Sequence, residues 1–330
     1  MAVPVSLLNF RNQEMKKTLI ALAAIAAVGA ASAQVTVYGK LDAAWSNTSA
    51  GNSVGLNGWE TSRLGVKASD KLGDMTASVV LEGKLRDNTD GQAAFQGFDR
   101  TATIGLAGSF GAVTIGNQWT PVDNAIWTTD ALEYNGFTPL AAGLWNADVG
   151  NTGMGNAKSS IQYATPTMSG FQGFVLVANN VTGNTQGATN YTGLGLNYGA
   201  GPLVINYAYQ AFDGSFDGTK QVSTVSTKTN VFAINYNVGA ANLYGGMVST
   251  EYTATSKETG YTFGVKVPVA KDSVSVGFAS NTVTASGKDT TKTGWGAQYI
   301  MPLTAKTVAY GGIQSIDSAN TYKIGTRIDF

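Results

Sequence analysis

Tyr322-Lys323-Ile324-Gly325-Thr326-Arg327-Ile328-Asp329-Phe330 ends the chain. Tyr322, Ile324, Ile328 and Phe330 share one parity, with Thr326 as its polar member. Lys323, Gly325, Arg327 and Asp329 share the other. A period of two with one apolar and one wet side is the pattern of a β-strand between two different environments. A chain that stops on the apolar side of such a strand suggests a sheet closing on its last strand. The fold then turns on whether the apolar side meets lipid or a protein core.

The same period recurs from the front of the chain to this end. Val35, Val37, Leu41, Ala43 and Trp45 alternate with Thr36, Tyr38, Lys40 and Asp42. Leu64, Val66 and Ala68 alternate with Arg63, Gly65 and Lys67. Met75, Ala77, Val79, Leu81 and Leu85 alternate with Thr76, Ser78, Glu82, Lys84 and Arg86. Further alternating segments lie near 98–107, 111–119, 157–164, 170–180, 189–199, 202–212, 229–238, 241–253, 259–268, 272–284, 292–301, 306–317 and 320–330, sixteen in all. Connections rich in Gly, Pro and Ser, such as 70–74, 108–111, 199–202 and 239–240, are short. Those near 46–60, 87–97, 120–156, 181–188, 213–228, 254–258 and 285–291, with the small 318–319 link, form the longer set. Short turns at one end and long loops at the other mark an outer-membrane barrel. An even strand count puts both termini at the short-turn end.

The front of the chain supports export. Residues 1–14 fit no targeting scheme and read as an upstream extension from a misplaced start. Met15-Lys16-Lys17 then gives a basic start, and 19–31 is apolar or small but too short to span a bilayer, which takes ~20 residues. Ala31-Ser32-Ala33 is a small-x-small cleavage site with Gln34 after it, so 15–33 reads as a signal peptide and 34–330 as the barrel domain. Setting 1–33 aside leaves 18 Lys and Arg against 20 Asp and Glu, because that segment takes three of the 21 cations and one of the 21 acids. A near-neutral balance argues against nucleic acid as a partner. The chain has no Cys, hence no disulfides, and no His, which removes the usual general base and the commonest metal ligand. No catalytic residue, metal site or cofactor is expected. After residue 33 no stretch is long and apolar enough for a membrane helix; a barrel, whose strands alternate, remains.

Tyr163, Tyr207, Tyr209, Tyr236, Tyr261, Phe263, Trp295, Tyr299, Tyr310, Tyr322 and Phe330 are assigned to the outward parity, several within two residues of a turn, as interface girdles require. That placement, and a strand count too high for one soluble sandwich, favour lipid. An open edge in hydrocarbon would leave backbone groups unsatisfied, so the sheet must close. The segment 120–156, with its aromatics and the carboxylates Asp123, Asp130, Glu133 and Asp148, is too long for a plain connection and too aromatic for disorder. A barrel of this size has a wet lumen, and such a loop can fold into it rather than lie over the rim. Opposite it, Arg63, Lys67, Lys84 and Arg86 fall on the wet parity, and Arg100 sits at a strand end or past a bulge. Fixed charges of opposite sign across a constriction are how pores select ions.

The chain resembles the trimeric general porins of Gram-negative outer membranes, of the neisserial and comamonad kind, over 15–330. The carriers are Val37-Tyr38-Gly39-Lys40-Leu41-Asp42, Ser62-Arg63-Leu64-Gly65-Val66-Lys67, Asp99-Arg100 leading to Ile104-Gly105-Leu106, and Phe110-Gly111 to Gly116-Asn117-Gln118. The resemblance implies an all-β, sixteen-stranded antiparallel transmembrane barrel whose third extracellular loop enters the pore. It implies homotrimers in the outer membrane, among lipid and lipopolysaccharide, and passive diffusion of ions and small hydrophilic solutes. Arg63 and Arg100 look most similar to the family's constriction arginines, and Phe330 to the residue read by the barrel-assembly machinery. Asn117 stands where relatives often carry Arg, and Ile328-Asp329 where they often have His, so weak selectivity is expected. The other reading is a closed barrel acting through its loops as an adhesin or structural protein; small and charged inward residues speak against it.

Overall fold

The computed structural model describes residues 34–87, 93–140, 155–179, 190–216, 221–253 and 256–330. Seventeen strand segments follow one another along the chain: β1 (Gln34–Thr48), β2 (Gly51–Leu56), β3 (Arg63–Leu72), β4 (Met75–Lys84), β5 (Thr101–Gly108), β6 (Gly111–Trp119), β7 (Asn156–Ala164), β8 (Phe171–Asn179), β9 (Asn190–Ala200), β10 (Leu203–Phe216), β11 (Gln221–Asn237), β12 (Asn242–Thr253), β13 (Ser256–Val269), β14 (Asp272–Ala285), β15 (Lys288–Pro302), β16 (Thr307–Ile316) and β17 (Ala319–Asp329). Among the described residues one α-helix, α1 (Pro121–Thr128), lies between β6 and β7. β2 and β3 are two pieces of a single barrel strand. β2 pairs with the second half of β1 through Ala43↔Leu56 to Thr48↔Gly51, and β3 with its first half through Gln34↔Ser69 to Lys40↔Arg63. The result is a closed antiparallel barrel of sixteen strands. Among the described residues no helix is long and apolar enough to cross a membrane.

The seam is β1 against β17, in register from Lys40↔Asp329 to Asn47↔Tyr322. It is finished by a reciprocal pair: the Gly39 amide donates to the Phe330 carbonyl (3.1 Å) and the Phe330 amide to the Gly39 carbonyl (3.0 Å). Each such bond adds only about 1 kcal/mol net in water. In hydrocarbon, each group left open costs several kcal/mol, which is why closure is compulsory there. The quoted stretch alternates strictly: Tyr322, Ile324, Thr326, Ile328 and Phe330 are exposed and the residues between them are not. The same outward face carries Ile104, Phe263, Phe278 and Ile324, which are 47–62 % exposed. The inward face is polar, with Asn206, Gln210, Thr229, Ser275 and Gln298 buried on it. Apolar outside and polar inside is the lipid-barrel arrangement.

Two expectations are corrected. Tyr310 points inward, 3 % exposed, not outward. β16 has apolar residues on both parities, so alternation there does not reveal the face. Gly58 and Gly325 leave room for the ring, and a Cβ on either would collide with the Tyr310 hydroxyl. The second correction concerns the loops at 46–60, 213–228 and 285–291. β1, β2, β10, β11, β14 and β15 run further than apolar alternation marks; among the described residues of these stretches only 49–50, 57–60 and 286–287 lie outside strands. The added residues, such as 51–54 and 288–293, are exposed and largely polar. They continue the hydrogen-bonded ladder where no lipid asks for an apolar side.

Candidate functional site

The interruption between β2 and β3 organises the site. The chain leaves the wall at Asn57, whose φ of 64° is left-handed, and rejoins it at Arg63. The bend is tied down by Asp42 of β1, which is fully buried. Its carboxylate accepts from the Trp59 amide (3.0 Å), the Glu60 amide (3.1 Å) and the Tyr310 hydroxyl (2.7 Å). Its amide donates to the Ser62 hydroxyl oxygen (3.0 Å), and its carbonyl accepts from the Asn57 amide (2.9 Å). A buried carboxylate is stable when its lone pairs are filled in this way. Trp59 then packs against Tyr310, ring centroids 5.4 Å apart, and carries the Arg327 guanidinium on its face at 4.8 Å.

Glu60 sits among three cations. It pairs with Lys40, with Arg327 Nη1 at 2.9 Å and with Arg63 Nη2 at 3.8 Å. Arg63 Nε reaches Glu82 at 3.5 Å, and Arg100 Nε reaches the other oxygen of Glu82 at 2.7 Å. The Tyr38 hydroxyl donates to Glu82 (3.2 Å), and Arg100 stacks over Trp119 at 5.1 Å. A row of alternating charge thus runs Arg327–Glu60–Arg63–Glu82–Arg100 across neighbouring strands. Beside it, Arg86 pairs with Asp99 at 3.1 Å, and the same carboxylate accepts from the Lys84 amide at 2.8 Å. Side chains in the Glu60–Glu82 row are 12–20 % exposed, so they border water while holding one another.

Parity explains most of this. Residues 63, 65 and 67 point inward from β3, and 82 and 84 from β4. Arg100 immediately precedes β5, where its amide donates to the Glu82 carbonyl (3.0 Å) and its own carbonyl accepts from Asn156 (2.8 Å). Lys67 is exposed, with its ammonium 5.7 Å from the Tyr38 ring, and stands apart from the row. Lys40, Glu60 and Arg327 were not singled out by sequence reasoning. Lys40 and Arg327 lie on wet parities, but their meeting depends on the seam register.

The described part of the segment after β6, residues 120–140, packs against inward-facing residues of the barrel strands. Thr120 caps α1 by accepting from the Asp123 amide (3.2 Å), and Pro121 opens the helix. Val122, Ala125 and Ile126 bury themselves against Ala208, Val231, Val248 and Ala279. These are inward positions that have turned small or apolar where the helix lies. Asn206 donates to the Thr128 hydroxyl oxygen (2.7 Å). Asp130 accepts from the Leu132 and Tyr134 amides, both at 3.0 Å, and shapes the next turn. Burial pushes its pKa up to about 6; a Thr138 hydrogen bond and the Leu132 amide pull it down, and the Glu133 charge raises it. Phe137 meets Tyr310 edge-on at 6.1 Å. The Gly136 amide donates to the Trp59 carbonyl (2.8 Å), and a Cβ at Gly136 would collide with the Gly58 carbonyl. Segment and bend therefore touch.

Of the loop carboxylates, Asp123 and Asp130 are buried within the segment, and Glu133 pairs with Lys266 of β13. Asp148 lies outside the described residues, as does Ala33 of the proposed cleavage site; Gln34 opens β1. Phe330 is half exposed on the outward side of the seam. The family model for Gram-negative porins matches residues 18–321. The chain belongs to the Gram-negative porins. It is 32 % identical over 275 residues to outer membrane porin protein 32 of Delftia acidovorans, covering 77 % of this chain and 76 % of that one. It is 27 % identical over 225 residues to major outer membrane protein P.IB of Neisseria gonorrhoeae, covering 63 % and 60 %. Among solved structures, an anion-selective porin from Comamonas acidovorans superposes with a TM-score of 0.75 at 22 % identity, over 90 % of this chain and 100 % of that one. Salmonella typhi OmpF superposes at 0.72 with 12 % identity, over 90 % and 97 %. The porin is thus an outer-membrane channel protein.

Proposed function

We propose that this porin passes ions and small hydrophilic solutes passively through a water-filled lumen, with weak charge selectivity. The reading rests on one observation. Among the described residues, the inward wall gathers Lys40, Arg63, Lys84, Arg86, Arg100, Lys323 and Arg327 beside five carboxylates, Asp42, Glu60, Glu82, Asp99 and Asp329. The excess is positive but small, which favours a mild preference for anions. The structurally similar porin from Comamonas acidovorans is anion-selective, which points the same way. Segment 120–156 acts as the constriction loop. Its described part, up to Leu140, narrows the lumen from the side of β9 to β16, and Glu133 adds an acidic point there.

The chain is exported through the inner membrane by a signal peptide at 15–33 and then folded by the barrel-assembly machinery, with Phe330 as the signal. It assembles as a homotrimer surrounded by lipid and lipopolysaccharide. The purified, refolded porin in planar bilayers tests this directly. Stepwise ohmic conductance in groups of three is expected. A correctly folded sample that does not conduct would remove the channel reading.

A further inference from the structure

We infer that Glu60 sets how strongly this porin discriminates between ions, and that the bend 57–62 exists to place it. The inference rests on the channel reading above. Three features of the molecule carry it. First, the bend is built rather than loose. It breaks a barrel strand, leaves the wall at the left-handed Asn57, and is held by two amide hydrogen bonds, from Trp59 and Glu60, to a fully buried Asp42 carboxylate that also accepts from the Tyr310 hydroxyl. Breaking a strand forfeits ladder bonds, so the inward turn needs a gain elsewhere. Secondly, the bend delivers one charged side chain, and it lands among Lys40, Arg63 and Arg327. Thirdly, Asp123 and Asp130 of the loop are buried within their own segment, and Glu133 is taken up by Lys266. Among the described residues, carboxylates of the wall itself therefore moderate the cations, and Glu60 touches more of them than Glu82, Asp99 or Asp329 does.

Removing one negative charge from such a row changes the potential felt by every passing ion. An ion passing at ~7 Å in water feels such a unit charge at about half strength once screened by 0.1 M salt. The effect has opposite sign for anion and cation. Neutralising Glu60 therefore raises the anion-to-cation permeability ratio about two- to three-fold.

The experiment compares reversal potentials at 0.1 M mean KCl for the parent, Glu60→Gln, Lys40→Met and the double variant, each checked for folding by heat-shifted mobility on gels. Glu60→Gln is expected to move toward anions and Lys40→Met toward cations by a similar factor. The double variant should return to the parent value, a compensation that a purely structural ion pair would not give. Should Glu60→Gln alone not fold, the comparison of Lys40→Met with the double variant carries the same test: adding Glu60→Gln must move the ratio back toward anions. A conducting parent whose variants all share its reversal potential, or whose single variants shift in the same direction, overturns the role of Glu60 and leaves the channel intact. A parent without conductance removes the channel reading instead.

Discussion

Replacing Arg63 and Arg100 together by Ser strips the two guanidiniums that flank Glu82, at 3.5 and 2.7 Å. Their side chains are 20 % and 13 % exposed, so a hydrated ion passes within roughly one water layer of each. Taking ~7 Å as that approach, each charge contributes about 0.3 kcal/mol at 0.1 M salt, where the screening length is about 10 Å. Two charges acting oppositely on anion and cation sum to about 1.2 kcal/mol, or about seven-fold in permeability ratio, toward cations. In 1 M salt, with a screening length near 3 Å, the same change shrinks to about 1.5-fold. The assay is the reversal potential of single channels under a KCl gradient, repeated at both mean concentrations. A double variant that keeps its conductance and shows no shift at low salt would refute the placement of these arginines beside the ion path. A shift as large at 1 M as at 0.1 M would refute the electrostatic cause.

Three further outcomes are expected. Tyr310→Phe removes a charge-assisted hydrogen bond to the buried Asp42 carboxylate and should cost about 1.5–3 kcal/mol in urea unfolding of the refolded barrel; a loss within error would mean that Asp42 does not depend on that hydroxyl. Ile324→Lys, on the lipid side of the closing strand, should destabilise by about 2–4 kcal/mol if its position is near mid-bilayer; a neutral result in lipid would mean this face does not meet hydrocarbon. Asp130 has its pKa raised from 3.8 to about 6 by burial, so its charge opposes folding at neutral pH and the cost fades as pH falls through 6 toward 3.8. Asp130→Asn should flatten that part of the stability–pH curve, and parallel curves for parent and variant would contradict the assignment.

The barrel was legible because a lipid-facing strand must alternate. Tyr322 to Phe330 shows it with Thr326 as the one polar residue on the outward side, and the strands from Val35 to Phe330 repeat it. Legibility failed where that constraint lapses. Beyond the apolar band, residues 51–54 and 288–293 extend hairpins in polar sequence, and nothing in their pattern separates strand from loop. At β16 the inward face had to hold the Tyr310 ring beside Asp42, so an apolar residue took the wet side. The wall was half visible: Arg63, Lys84 and Glu82 follow from parity. Lys40 and Arg327 needed the seam register that sets Asp42 opposite Arg327 and Lys40 opposite Asp329. Glu60 could not be placed at all, because its position comes from a bend rather than from a period. The one hint was Asn57-Gly58 beside Trp59, a turn-forming pair next to a large aromatic in a stretch otherwise read as loop.

The reversal potential of the unmodified porin under a tenfold KCl gradient tests the account most directly, because it requires an open pore and reports the sign of its fixed charge. A small potential of anion-selective sign, growing as the mean salt concentration is lowered, is the predicted result. A cation-selective potential, or one unaffected by dilution, would contradict a wall in which, among the described residues, seven cations outnumber the five carboxylates beside them.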